Sequence, residues 1–219
     1  MILKNIILNY RKNRRTDKNC DTCSQDDIKI ESEEYKQMSK NICDVKKINL
    51  QQLALSPDLL RAGDMVLISG TAFTARDAAH KRMIDEINSG KKLPINIKNA
   101  TVYYAGPTNK PENSAIGSCG PTTSGRMDKF APKLMDLGLK IMIGKGQRNE
   151  EVLNSIKKNK ALYFAAIGGA GALASECIVS SEIVAYDDLG CEAIRKIEFR
   201  DFPVILIADI FGNNFYKDV

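Results

Sequence analysis

The residues with the most chemical potential lie in one stretch, Ile116 to Gly146, IGSCGPTTSGRMDKFAPKLMDLGLKIMIGKG. Three hydroxyls, Thr122, Thr123 and Ser124, follow a loop of small residues and stand just ahead of Arg126. Lys145 sits between two glycines farther on. Upstream, Arg76 and Asp77 open a segment that also carries His80, the single histidine. Guanidinium, ammonium and hydroxyl groups together are the equipment for binding a carboxylate or phosphate. A Ser/Thr cluster alone most often caps a helix; two cations at neighbouring loop and strand edges favour the anion-binding reading. A phosphate loop is excluded by spacing. Gly138 and Gly144 enclose one residue too many, glycine rather than Ser/Thr follows Lys145, and no helix begins there.

Elements must hold these groups. Phe130, Leu134 and Leu137 recur at spacings of four and three, which predicts one face of a helix. Pro121 suits the first turn of such a helix. The hydroxyls and Arg126 would then surround its N-terminus, where free N–H groups and the dipole favour an anion. Gly138 is expected to end the helix, and a strand over 139–143 delivers Lys145. Farther upstream, a strand over 65–69 leads through Gly70-Thr71 into a helix over TARDAAHKRMIDEIN, with Ala79, Met83 and Ile87 on one face. This places Arg76 in the first turn and His80 one turn later on the same side. A cation there opposes the dipole unless Asp77 or a bound anion accompanies it. By itself His80 reads as a structural or surface residue.

The remaining chain alternates similarly. Strands are expected at 101–105, 161–167, 178–186, 194–199 and 203–208, and a helix from Asn149 to Lys160. The 106–119 loop is long enough to form a rim or lid. Gly168-Gly169-Ala170-Gly171 matches half of a dinucleotide fingerprint but lacks its full spacing. Close packing explains the same glycines. The alternation implies an α/β layered domain, and the short late connections imply a mixed sheet.

Charge excludes some functions. Of the net +5, residues 1–15 contribute all of it, through Lys4, Arg11, Lys12, Arg14 and Arg15; the other 27 basic and 27 acidic residues cancel. A broad nucleic-acid face is therefore not expected, and no apolar run is long enough to span a bilayer. The six cysteines follow no secretory framework and fit free thiols in a reducing compartment. Cys20-Asp21-Thr22-Cys23 is a lone pair, short of a zinc site even with Cys43. Residues 1–45 are read as an extension, disordered or marginally helical, and residues 46–219 as the compact domain. The acid-free start is compatible with an organelle-targeting segment or with an extension lacking function.

The segments GDMVLISGTAFTARDAAHKRM, VYYAGPTNKPENSAIGSCGPTTSGRMDKF, MIGKG, YFAAIGGAGAL, AYDDLGCEAIRKIEF and DFPVILIADIFGNNFY resemble, in order, the β subunit of class I iron–sulfur fumarases. The resemblance implies a swivelling β/β/α domain. It also implies a cytoplasmic α2β2 enzyme whose α subunit, not this chain, holds a four-iron four-sulfur cluster, so no metal ligand is assigned here. On the same basis Thr122 is the proton-abstracting base, and Arg76, Arg126 and Lys145 bind substrate carboxylates. Thr123 and Ser124 orient the loop or donate hydrogen bonds, while Asp77 and His80 support Arg76. The implied reaction is malate–fumarate interconversion, with neither nucleic acid nor membrane as a partner. An L-tartrate dehydratase β subunit shares these motifs. A non-catalytic anion-binding module is the alternative of another class.

Overall fold

Three short strands are buried along their whole length: β3 (Thr101–Tyr103), β4 (Ile141–Gly144) and β5 (Leu162–Ala165). Continuous burial is the signature of parallel strands covered on both faces, and β3, β4 and β5 are parallel neighbours. The computed structural model describes residues 45–112 and 114–217. The expectations about the extension, including Cys20, Cys23 and Cys43, lie outside the described residues.

β1 (Lys46–Asn49) leads into α1 (Leu50–Leu55), capped by the Asn49 side chain. β2 (Met65–Thr74) alternates between buried and half-buried residues and pairs in parallel with β3. It runs five residues past the expected end at Ser69, so α2 (Asp77–Asn88) begins at Asp77 and Arg76 is its N-cap. The other helices are α3 (Ala131–Asp136), α4 (Glu150–Asn159) and α5 (Gly171–Glu176). β6 (Ile178–Ala185) pairs antiparallel with β7 (Ile194–Ala208). The sheet order is β1-β2-β3-β4-β5-β7-β6, with a further β2–β7 pairing. Five strands thus form a closed circuit, β2-β3-β4-β5-β7 and back to β2, and the sheet is mixed as expected.

The two expected strands at 194–199 and 203–208 are one. Asp201 takes a left-handed conformation (φ 50°), and its amide donates to Ser69 Oγ at 2.9 Å instead of closing a turn. The partner strand shifts register between Ile68 and Gly70. This bulge bends the ladder without breaking it, and the late half of β7 reaches β5.

The expected helix start at Pro121 is also corrected. Pro121 bridges Ala105 and Thr123 bridges Lys145, as short sheet-like contacts. The Thr122 and Ser124 amides donate to Tyr104 O (2.6 Å) and Lys145 O (2.8 Å). Those backbone groups are committed to strand ends, so Thr123 is extended and a 3-10 turn follows over Ser124–Met127. The α-helix starts only at Ala131, where Pro132 occupies the first turn. Leu134 is buried, but Leu137 at the helix end is exposed and leaves the expected face. Gly138 does terminate it with a positive φ of 108°. Met83, Met127, Leu134 and Ile156 share the resulting core; truncating one such side chain to alanine costs about 2–5 kcal/mol.

Candidate functional site

Two of the predicted site residues, Arg76 and Lys145, follow the carboxyl ends of parallel strands, beside the loops that leave the neighbouring strands. Arg76 comes after β2, Tyr104 to Gly106 after β3, Lys145 after β4 and Gly168 after β5. In α/β folds, open or closed, the carboxyl ends of parallel strands carry the loops and helix starts that meet ligands. Thr122 is brought there by the hydrogen bond its N–H donates to Tyr104 O, and Lys145 N donates in turn to Thr122 O at 3.3 Å.

Arg76 cannot cap α2 with its own side chain. Glu192 does so from far along the chain: one carboxylate oxygen accepts from Ala78 N at 2.6 Å and the other meets Arg76 Nη2 at 2.8 Å. The expected conflict between a cation and the helix dipole is resolved by this imported acid. A 3-10 turn over Asp187–Glu192 carries Glu192. Arg82 clamps that turn through both Asp188 oxygens at 2.7 Å, and Tyr186 donates to Glu86 at 2.6 Å. Gly106 completes the Arg76 pocket. A Cβ there would lie 2.9 Å from Arg76 Nη1 and 3.1 Å from its Cδ.

Asp77 does not serve Arg76. Its carboxylate takes Arg126 in a two-point pair, Nε to Oδ1 at 2.9 Å and Nη2 to Oδ2 at 2.8 Å. This pair ties the 3-10 turn to the start of α2. His80 is fully buried and its Nδ1 lies 2.9 Å from Arg76 O. A carbonyl only accepts, so Nδ1 carries the proton. Burial lowers the imidazole pKa to about 4, against the smaller opposing effect of the Arg76 carbonyl. His80 is therefore neutral at pH 7. It packs on Phe130 and Tyr104 and steadies the Arg76 backbone rather than its guanidinium.

Thr122 is half-buried and Thr123 exposed, while Ser124 is fully buried. Lys145 forms no ion pair among the described residues, unlike Arg76 and Arg126. Gly144 permits the approach of the two segments: a Cβ there would meet Ser124 Oγ at 2.0 Å. The glycine loop after β5 lies against the Lys145 stem, since a Cβ on Gly168 would be 3.3 Å from Lys145 Cδ. Gly171 O also accepts from Cys119 N at 3.0 Å. Close packing thus accounts for the glycines that matched half of a nucleotide fingerprint.

Sequence reading missed a buried group beneath this edge. Arg148 donates through Nε to Asp128 Oδ1 at 2.6 Å, and Asn149 N donates to Asp128 Oδ2 at 2.8 Å. The Arg148 guanidinium lies 4.9 Å from the Tyr163 ring centroid and 5.4 Å from that of Tyr104. Burial pushes both phenols up, so they stay protonated. A tyrosine inside the apolar run ALYFAAI was the available signal, because a buried phenol needs a partner.

A separate cavity of about 460 Å³ opens beside the 107–117 loop, lined in part by Lys110, Ser181, Cys191 and Arg195. None of the four principal candidate residues lines it. Among the described residues no group of three or more His, Cys, Asp or Glu side chains comes together to hold a metal. Cys119 is buried, and that burial pushes its thiol up to about 12, unlike the thiolates that ligate iron. The described residues do not fit an iron–sulfur cluster. No helix among them is long and apolar enough to cross a membrane.

The family described as Fumarase C-terminus matches residues 18–219. The chain belongs to that family. It is 43% identical over 154 residues to the aerobic class I fumarate hydratase of Escherichia coli strain K12, covering 69% of this chain and 28% of that protein. It is 39% identical over 169 residues to fumarate hydratase 2 of Leishmania major, covering 76% and 29%. A putative L(+)-tartrate dehydratase subunit beta of Methanocaldococcus jannaschii is 35% identical over 166 residues, covering 73% and 85%. The chain thus spans less than a third of the fumarate hydratases it matches, but most of the tartrate dehydratase subunit.

Proposed function

We propose that this chain is the β subunit of a class I fumarate hydratase, catalysing the reversible dehydration of (S)-malate to fumarate. What supports the reading, in a chain of this family, is that Arg76 and Lys145 follow parallel strand ends, Thr122 is hydrogen-bonded to Tyr104 and Lys145 there, and Asp77 ties Arg126 to the helix start beside Arg76. In this reading residues 46–219 fold as the family's swivelling layered unit, although the family match itself begins upstream, at residue 18. A cluster-bearing α subunit, paired in a cytoplasmic α2β2 assembly, closes the site. The four-iron four-sulfur cluster belongs to that subunit and, when bound, supplies the Lewis acid for the departing hydroxyl.

This chain handles the rest of the substrate. Two arginines offer planar forks for the carboxylates of a dianion, and Lys145 offers a compact charge. Proton removal beside a carboxylate pushes negative charge onto its oxygens, where fixed cations stabilise it more than in the ground state. Thr122 takes that proton through its hydroxyl oxygen. With no helix N-terminus at residue 122, Arg126 and Lys145 are left to favour its anionic form. Thr123 and Ser124 hold the loop, and Asp77 and His80 fix Arg126 and the Arg76 backbone.

The size match to the Methanocaldococcus subunit favours one second reading, a tartrate dehydratase β subunit with the same chemistry. Co-purification with the cluster-bearing partner, followed by assays on malate, fumarate and L-tartrate, separates the two. Preferred turnover of malate and fumarate is expected, with none from this chain alone. Preferred tartrate turnover would establish the second reading, and a complex inert to all three would leave a non-catalytic anion-binding module.

A further inference from the structure

We propose that Tyr163 is a positioning residue for Lys145, acting through a proton-ordered relay that grips the backbone on both sides of that lysine. The proposal rests on the reading of Lys145 as a substrate-binding cation.

The relay follows from donors and acceptors. Tyr163 Oη lies 2.6 Å from Gly146 O and 3.0 Å from Ser124 Oγ. Gly146 O only accepts, so the phenol proton goes there and Ser124 must donate to Tyr163 Oη. Ser124 Oγ then accepts from Lys145 N, which is 3.1 Å away. The order is Lys145 N–H to Ser124 Oγ–H to Tyr163 Oη–H to Gly146 O, with the Lys145 N–H shared between Ser124 Oγ and Thr122 O at 3.3 Å. The same serine's amide donates to Lys145 O at 2.8 Å. Lys145 is therefore held before and after its Cα by two buried side chains from different elements.

Tyr163 is itself fixed from below. Its ring lies under the Arg148 guanidinium, which Asp128 holds from the 3-10 turn segment. Such support matters because Lys145 has a flexible stem and no ion pair among the described residues. Its reach is set by where its backbone starts. Sub-ångström misplacement of a binding group is enough to weaken a charge-assisted contact.

Tyr163→Phe keeps the ring and deletes the hydroxyl; Ser124→Ala breaks the relay at its middle. Residue-resolved amide exchange on the full chain is the first measurement. Lys145 N–H is expected to exchange about tenfold faster in both variants, with core amides of β3 and β5 unchanged. Kinetics of the complex with its partner are the second. KM for malate is expected to rise about tenfold while kcat stays within about threefold, and the double variant to match the worse single one. A merely structural hydroxyl would lower kcat through lost active enzyme and leave KM in place, which overturns the proposal. Unchanged exchange at Lys145 overturns it as well. An inactive wild-type complex would sink the functional reading instead, and exchange alone would then decide the role of Tyr163.

Discussion

At the scale of single residues, charge and proton location set the expectations. Thr122→Ala removes the only atom assigned to proton abstraction and leaves the three cations in place. Turnover of the assembled enzyme should fall by about 10²–10⁴, with malate binding nearly unchanged; near-normal kcat would remove Thr122 from the base role. His80 gives a prediction about stability. Its folded pKa of about 4 lies below the ordinary 6.5 because burial disfavours the cation. The unfolded chain therefore binds the proton first as pH falls. The stability linked to His80 is complete above pH 6.5 and is lost progressively toward pH 4, on the order of 3 kcal/mol. His80→Gln should flatten the dependence of the urea midpoint on pH between 6.5 and 4.5. An unchanged slope would mean that other groups set it. The candidate cations were legible from their positions beside glycines and helix starts. Their acids were not: Glu192 reaches Arg76 across 116 residues, a pairing that spacing along the chain does not encode.

At the scale of elements, strands were easier to read than their ends. β3, β4 and β5 are short apolar runs bounded by polar or small residues, and their pattern has one interpretation. The segment 121–130 has two. Pro121 and the apolar spacing that begins at Phe130 fit a helix starting here, yet the amides of Thr122 and Ser124 are drawn to Tyr104 O and Lys145 O, so tertiary hydrogen bonds override the local pattern. β7 misled in the opposite sense, because Asp201-Phe202-Pro203 has turn composition but forms a bulge within a continuous strand. The close approach of residues 122–124 to β4 also yields a test. Gly144→Ala would place a methyl 2.0 Å from Ser124 Oγ and 2.9 Å from Tyr104 Cδ2, so one segment must move. The expected result is a loss of about 1–3 kcal/mol in folding stability, from overpacking, together with a raised KM. Unchanged denaturation and kinetics would show that the seam is more yielding than its contacts indicate.

At the scale of the whole molecule, the strand circuit assigns a special place to β7, which pairs with β2, β5 and β6. While the chain is being synthesised, β2 and β5 have each lost a neighbour until Ala208 has left the ribosome. Until then the nascent sheet offers bare backbone donors and acceptors on two sides, the condition under which strands pair with the wrong molecule. A chain stopped after Arg200 keeps most of the apolar core and all four principal candidate residues, yet it should collect in the insoluble fraction at ordinary expression levels. Recovery of that truncated chain as a monodisperse monomer would show that the ring need not shut for the rest to hold.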